Sequence, residues 1–290
     1  MVAVNGARVA LATCAGLPDL GEDGPAMTEA LAARGVTATP EVWDAPEVDW
    51  SRFDLVVIRG TWDYTERRDE FLAWARSVAR LANPYSVIEW NTDKTYLADL
   101  AAAGVATIPT TWCHPGSAVR LPAGEIVVKP SVGAGTRDCG RYGPRDRERA
   151  LGHVERLLRA GRTVLVQPYL GAFEGSGERG LVYLGNRYSH TIAKPARLGQ
   201  RGPYVDGTPA GEVVATTPTA SERAFAEKVL AAIPAGRENL LYARVDLVTD
   251  AAGKPALVEA ELTEPLLFLD CEPRSPALFA QAVTAWLARF

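Results

Sequence analysis

The chain has 290 residues, of which 47% are apolar and 23% charged, with a net charge of −4. That gives room for two domains of ~150 residues, an ordinary globular composition instead of a disordered one, and too little basic excess for a general nucleic-acid or membrane-surface binder. No apolar run approaches the ~18 residues of a membrane span, and neither the four cysteines nor the three histidines fall at metal-ligand spacing, so a reducing, cytoplasmic compartment is the simple reading.

The N-terminal third alternates strand and helix signals. Arg8–Thr13 is an apolar strand; with only Arg8 ahead of it, the run to Leu17 does not read as a signal peptide. Pro18–Pro25 is a turn-rich acidic loop. Met27, Ala30 and Leu31 then recur at helical spacing until Gly35 stops the helix. Thr37–Trp43 is a second strand and Asp54–Arg59 a buried third. A loop at Gly60–Tyr64 leads into an amphipathic helix carrying Phe71, Trp74, Ala75 and Val78. This alternation implies a small parallel sheet flanked by helices. Ligands of such sheets sit beyond the carboxyl ends of the strands. Arg59, Trp62 and Tyr64, at such an end, are candidate substrate contacts, or simply a loop packing on the next domain.

Asn83–Pro84 marks a boundary. A helix follows over Thr92–Ala103, capped by Asn91 or Thr92 and ended by Gly104. Thr107–Trp112 and Glu125–Lys129 are strands, the second running into a small-residue loop, Ser131–Thr136. A helix over Arg145–Arg159 places Leu151, Val154 and Leu158 on one face, and Thr163–Leu170 is another strand. Arg179–Leu184 and Arg187–Ala193 flank Gly185-Asn186, a two-residue hairpin turn. A helix runs over Ser221–Ile233. Tyr242–Thr249 and Pro255–Leu262 form a second hairpin around Asp250–Gly253, and the closing helix carries Leu278, Phe279, Ala282, Val283, Trp286 and Leu287.

Of the 31 basic residues only five are lysines: Lys94, Lys129, Lys194, Lys228 and Lys254. In so Arg-rich a chain, a retained lysine points to a need for a compact cation that a planar guanidinium does not replace. The second hairpin is the most informative segment. Alternation puts Ala256, Val258, Ala260 and Leu262 on one face and Leu257, Glu259 and Glu261 on the other. A two- or four-residue turn pairs Arg244 with Glu259 and Asp246 with Leu257, which gathers Asp246, Glu259, Glu261 and Arg244 on one face. Clustered hard oxygens suit Mg²⁺ or Mn²⁺ bridging to nucleotide phosphates. They equally suit a solvated polar face with Arg244 pairing a glutamate. Lys129 ends a strand just ahead of Gly133 and Gly135, whose loop amides can approach phosphate. It also reads as a snorkelling surface lysine. Gln167-Pro168-Tyr169-Leu170 ends a strand where open backbone groups could read an adenine edge, or where a strand simply stops.

In their order along the chain these pieces resemble the ATP-grasp superfamily of carboxylate–amine ligases, from about Asn83 to Phe290. The resemblance implies an α/β (α+β) chain: a parallel-sheet pre-ATP-grasp domain over 1–88, a small lid subdomain over 89–165 and a large metal-binding subdomain over 166–290. Asn91-Thr-Asp-Lys94 looks like the first nucleotide lysine and its helix. Val127-Val-Lys-Pro130 with Gly133 and Gly135 looks like the second lysine and the phosphate lid, Ser131–Thr136. Gln167, Tyr169 and Leu170 fall at the adenine hinge, Glu178 at the acidic residue assigned to ribose, and Lys194 at the basic residue of the next hairpin. Arg244-Val-Asp246 and Val258-Glu-Ala-Glu261 look like the metal-binding strands. The family usually has Glu-x-Asn where this chain has Glu259-Ala-Glu261, so the third ligand carries an added charge that bears on the choice between Mg²⁺ and Mn²⁺.

Four strings resemble one branch of the superfamily, that of D-cycloserine synthetase: Asp54–Tyr64, Asn91–Lys94, Tyr242–Asp246 and Glu259–Pro265. The implied chemistry is ATP-dependent activation of a carboxylate as an acyl phosphate, with Arg244 and Lys194 as catalytic cations, and attack by a nitrogen of the same molecule, O-ureido-D-serine. The partner is then a small amino-acid-like substrate and neither nucleic acid nor membrane; a homodimer is left open. The rivals are an intermolecular ligase of the dipeptide- or glutathione-synthetase kind and a non-catalytic nucleotide-binding module.

Overall fold

The computed structural model describes residues 4–21, 23–175, 177–195, 198, 201–204, 211–250 and 252–290. Its first third contains β1 (Arg8–Thr13), α1 (Asp23–Ala32), β2 (Thr37–Val42), β3 (Leu55–Gly60), α2 (Arg68–Ser77) and β4 (Leu81–Ala82). The strands run parallel in the order β2-β1-β3-β4. Helices cover both faces, so Val9–Ala12 of β1 and Leu55–Ile58 of β3 are apolar runs, as central parallel strands are. Their side chains still alternate. Val9, Leu11, Leu55 and Val57 meet Met27 and Leu31 of α1. Ala10, Ala12, Val56 and Ile58 meet Phe71 and Ala75 of α2. α1 begins at Asp23, inside the segment expected to be a loop. The Asp23 carboxylate accepts the backbone N–H groups of Leu267 (3.0 Å) and Leu269 (2.9 Å), which ties the helix start to the C-terminal third. The expected open loop after β3 is a 3₁₀ turn, Trp62–Thr65.

The single helix expected over Thr92–Ala103 is two, α3 (Tyr85–Asn91) and α4 (Tyr96–Ala102), with Lys94 in the link. Asn91 is not a cap. Its amide donates to the Ala260 carbonyl (2.7 Å) and its Oδ1 accepts from Leu262 N–H (2.8 Å), so its side chain serves another strand. β5 (Thr111–Cys113), β6 (Ile126–Pro130), β7 (Gly140–Tyr142), α5 (Arg147–Arg159) and β8 (Val164–Pro168) follow. α5 buries Ala150, His153, Val154 and Leu157, while Leu151 and Leu158 are half-buried. The helix face is turned from the expected one, with Ala150, Val154 and Leu157 in the core, and His153 is tolerated there because Tyr142 Oη lies 2.9 Å from its Nδ1.

The last third holds α6 (Ala172–Gly175), β9 (Glu178–Leu184), β10 (Arg187–Lys194), β11 (Gly202–Pro203), β12 (Val214–Thr216), α7 (Ala220–Ala231), β13 (Tyr242–Thr249), β14 (Pro255–Glu261) and α8 (Ser275–Leu287). Gly185 and Asn186 both adopt positive φ (57° and 64°), as the tight β9–β10 hairpin requires. Two antiparallel sheets result, β11-β7-β6-β8-β5 and β12-β10-β9-β13-β14. The first takes in all of β8, so the expected subdomain boundary at 165/166 cuts a strand. α3 and α4 pack by Val87, Tyr96, Leu97 and Leu100 mainly into a cluster built on the second sheet and α7, which Leu165 and Trp112 of the first sheet also join. Among the described residues no helix is long and apolar enough to cross a membrane.

The β13–β14 register differs from expectation. Arg244 pairs Glu261, Asp246 pairs Glu259 and Leu247 pairs Leu257, so Val258 is an extra residue, a β-bulge. The bulge sends Leu257 into the apolar core with Ala260 and Leu262. Val258 turns the other way, onto Ile108 and Val248. The carboxylates keep the shared face that alternation assigns them, but by a different pairing. Ala251, in the turn expected at Asp250–Gly253, lies outside the described residues.

Candidate active site

One face of the β9–β13 part of the second sheet is divided along its length. Val182, Leu184 and Tyr242 are buried under α8 and the N-terminal sheet. Arg244 and Asp246, further along β13 on the same face, floor a cleft of about 800 Å³ facing the lid sheet. Gly180 on β9 faces Asp246 and makes room for it: a Cβ there would stand 2.9 Å from Asp246 Oδ1 and 3.2 Å from Arg244 Cδ.

Four carboxylates and four cations interleave on this floor. Arg244 holds Asp246 through two bonds (Nε–Oδ1 2.9 Å, Nη2–Oδ2 3.0 Å), also bonds Glu261, and donates to the Leu266 carbonyl (2.6 Å). Lys194 reaches Asp246 Oδ2 at 2.7 Å and pairs with Glu178. Lys129 bonds Glu259 Oε1 at 3.0 Å, while Lys94 stands 4.0 Å from Glu259 Oε2. Burial alone would push Asp246 up, but the charges of Arg244 and Lys194 hold it well below the ordinary carboxylate range. Glu259 is likewise opposed by burial and held down to about 2 by Lys94 and Lys129. Glu261 goes the other way: burial, reinforced by Asp246 and Glu259, raises it despite the Arg244 bond. Burial also raises Glu178, against the pull of Lys194.

The lid is the β6–β7 connection. Lys94 donates through Nζ to the Gly133 carbonyl (2.5 Å) and through its N–H to the Ser131 carbonyl (2.8 Å), which draws the lid over the floor. Gly133, Gly135 and Thr136 line the cleft, the last two at positive φ (63° and 65°). Ser131 does not line it; it is buried, with its N–H on the Thr163 carbonyl (2.9 Å), and serves as the anchor of the lid. At the far edge Arg137 pairs with Glu66 of the N-terminal unit.

At the other end Ile108, Val127, Phe173 and Val258 make an apolar slot beside Gln167, Pro168 and Tyr169. Gln167 donates to Thr110 Oγ1 (2.9 Å), and the Tyr169 ring carries the Arg141 guanidinium 3.5 Å from its centroid. The Tyr169 N–H is taken by the Glu125 carbonyl (2.9 Å), so it is not an open donor at the strand end. Leu170 is not a lining residue; it packs with Ile108, Val248 and Val258 behind the slot.

Of the three expected substrate contacts, Trp62 and Tyr64 line the cleft and Arg59 does not. Arg59 is 5% exposed, donates to the Pro265 carbonyl (2.5 Å) and lies over the Tyr242 ring, 4.9 Å from its centroid. Sequence reasoning did not single out Glu264, Leu266 and Phe268, which complete this wall. Glu264 falls inside the Glu259–Pro265 string, and its charge one residue ahead of a proline was the available signal. Cys14 and Cys139 also line the cleft, with no sequence signal.

Asp246, Glu259 and Glu261 are all-oxygen donors on one face, the chemistry a hard divalent cation takes. Among the described residues no three acidic, histidine or cysteine groups converge as a preformed cage. The set fits an ion that takes its remaining ligands from phosphate, as Mg²⁺ commonly does.

Residues 9–83 match the family described as the N-terminal domain of D-cycloserine synthetase DcsG. The cycloserine biosynthesis protein DcsG of Streptomyces lavendulae is 40% identical over 281 residues, covering 90% of this chain and 92% of that one. The crystal structure of D-cycloserine synthetase DcsG superposes with a TM-score of 0.86 at 38% identity, over 97% of this chain and 99% of that one. D-alanine–D-alanine ligase of Bacillus anthracis, solved with ATP, shares the fold at a TM-score of 0.67 and 13% identity, over 98% of each chain.

Proposed function

Because the chain belongs to the D-cycloserine synthetase family, on the ATP-grasp fold, we propose that it is the ATP-dependent ligase that cyclises O-ureido-D-serine, releasing ADP and phosphate. The observation that carries this reading is the floor of interleaved charges between the two antiparallel sheets. A binding module has little use for so many buried ions, each costly to desolvate. An enzyme moving a phosphoryl group needs positioned charge of both signs.

ATP fits with its base in the slot of Ile108, Val127 and Val258, beside Gln167 and Tyr169, and its phosphates toward the lid. Glu178, which lines the cleft and pairs with Lys194, would take the ribose. Lys129 and Lys94 then exchange Glu259 for phosphate oxygens, and the backbone at Gly133, Gly135 and Thr136 closes over them. Asp246, Glu259 and Glu261 would hold Mg²⁺, which supplies positive charge against the β- and γ-phosphates; Mn²⁺ is the alternative ion. Arg244 and Lys194, released in part from Asp246, face the oxygens that gain charge as the substrate carboxylate attacks the γ-phosphorus in line. The resulting acyl phosphate is prone to hydrolysis, and the lid anchored at Ser131 and Lys94 excludes water. The nucleophilic nitrogen sits in the same molecule, so its proximity is built into the substrate.

The test is metal-dependent ADP release with O-ureido-D-serine as sole co-substrate, with and without free amino acids. A cyclic product by mass from that compound alone supports the cyclo-ligase. Turnover only with a pair of amino acids moves the chain to the intermolecular ligases and overturns the cyclisation.

A further inference from the structure

Carboxylates around the cleft come with partners. Glu178, Asp246, Glu259, Glu261 and Glu66 each pair with a lysine or arginine, and Asp63 accepts the Trp43 indole N–H at 3.0 Å. Glu264 is the exception: among the described residues it forms no ion pair. Its backbone, by contrast, is clamped. The Glu264 carbonyl accepts the Trp62 indole N–H (3.2 Å), and the next carbonyl, of Pro265, accepts Arg59 (2.5 Å). The strand end of the N-terminal sheet therefore fixes this peptide in place. The carboxyl meets the hydroxyl of Tyr64, whose ring is 4% exposed and stacks on Phe71 with centroids 5.0 Å apart.

A clamped carboxyl in a half-buried wall, with a hydroxyl beside it and no ion pair, leaves a place for a bonded cation. Burial and the nearby Glu261 push it up to about 8, against the pull of Lys94, the Tyr64 hydroxyl and Arg59. Both of those cations are engaged elsewhere: Lys94 donates to the Gly133 carbonyl and stands 4.0 Å from Glu259, and Arg59 donates to the Pro265 carbonyl.

We propose that Glu264, together with the Tyr64 hydroxyl, receives the ammonium group of an α-amino-acid substrate. This rests on the ligase reading above and adds the substrate's second anchor. With the carboxylate held at the lysine and arginine end and the ammonium at Glu264, the third substituent on the α-carbon has one direction left, so Glu264 is also the residue that sets stereochemical preference.

The test compares O-ureido-D-serine with its desamino analogue, 3-(ureidooxy)propanoate. Binding is measured by calorimetry with a non-hydrolysable ATP analogue and Mg²⁺, and turnover by ADP release. The wild type is expected to prefer the amine-bearing compound by about 30-fold or more, the scale of a desolvated charge pair. Glu264→Gln should remove most of that preference while changing affinity for the desamino compound by less than about threefold. Tyr64→Phe should show the same pattern at about five- to tenfold. Equal losses on both compounds, or an undiminished preference in Glu264→Gln, overturn the proposal. If Glu264→Gln does not fold, Glu264→Asp, which keeps the charge but shortens its reach, must weaken the amine-bearing compound selectively. Discrimination in binding without ADP release overturns the ligase reading and keeps the ammonium site; binding of neither compound overturns both.

Discussion

Lys194 reaches over β9 to place its Nζ 2.7 Å from Asp246 Oδ2, crossing that strand where it carries Gly180. Three adjacent strands thus meet at one ion pair, and the pair exists because the middle strand has no side chain there. A Cβ at residue 180 would press on Asp246 Oδ1 at 2.9 Å, Ile192 Cγ1 at 3.0 Å and Arg244 Cδ at 3.2 Å. Gly180→Ala is therefore expected to lower kcat by about 10- to 100-fold through misplacement of Asp246 and Arg244, with overpacking of about 1–3 kcal/mol visible as a lower Tm. Steady-state kinetics with thermal melting checks both; unchanged kcat would show that the floor yields without cost.

Glu259 holds Lys129 and lies near Lys94, so in the proposed ATP pose it competes with phosphate for both. Glu259→Gln frees both cations, so ADP is expected to bind about tenfold tighter in the presence of a chelator, equivalent to ~1.4 kcal/mol. Ligase activity should be lost, because the proposed divalent-ion ligand is lost with it. Calorimetric titration of ADP with and without Mg²⁺ separates the two effects.

Arg59 acts behind the cleft wall. Arg59→Met removes the bond to the Pro265 carbonyl and loosens the Glu264 peptide without touching the nucleotide slot. The expected result is a fall of about 10- to 100-fold in kcat/KM for the amino-acid substrate, with affinity for a non-hydrolysable ATP analogue unchanged. Equal losses on nucleotide and substrate would show a general loss of packing instead.

His153 and His190 carry a pH dependence of stability. Burial lowers both below the ordinary value of 6.5, and His190 Nε2 lies 2.9 Å from the Leu267 carbonyl. A histidine whose folded pKa is depressed contributes stability above its unfolded pKa, and that contribution is lost as pH falls through the folded pKa, because the unfolded chain binds the proton more readily. The histidine contribution to Tm is expected to fall as pH goes from about 7 to about 5, opposed by the raised Glu261 and Glu264, so the readout is the difference from His190→Asn, which should lose less stability than the wild type over that range. Melting curves across that range decide it.

The glycine-loop side of the cleft was legible in the sequence because it depends on local features. Lys129 ends a strand, glycines follow, and Gly133 and Gly135 do line the cleft. The opposite side was legible only in part, through Trp62 and Tyr64, and the rest was hidden for three physical reasons. A β-bulge at Val258 leaves no mark in a simple alternation pattern, so the pairing of Arg244 with Glu261 had to be seen. Asn91 looked like a helix cap, but its amide is complementary to backbone groups of β14 about 170 residues away, and nothing local announces that. Arg59 stood at a strand end where ligands gather, yet the C-terminal third folds over it, so the residue that meets the cleft is Glu264, held from behind.

The bulge sets Val258 and Glu259 side by side on the cleft, one at the apolar slot and the other under the two lysines. In the proposed nucleotide pose, one wall of the base slot and the acid under the phosphates are thus consecutive residues of a single strand, and the step between them is fixed by the chain itself. The opposite wall, Val127 and Gln167, belongs to the other sheet. In that pose a relative movement of the two sheets would widen or narrow the slot without changing the offset between Val258 and Glu259.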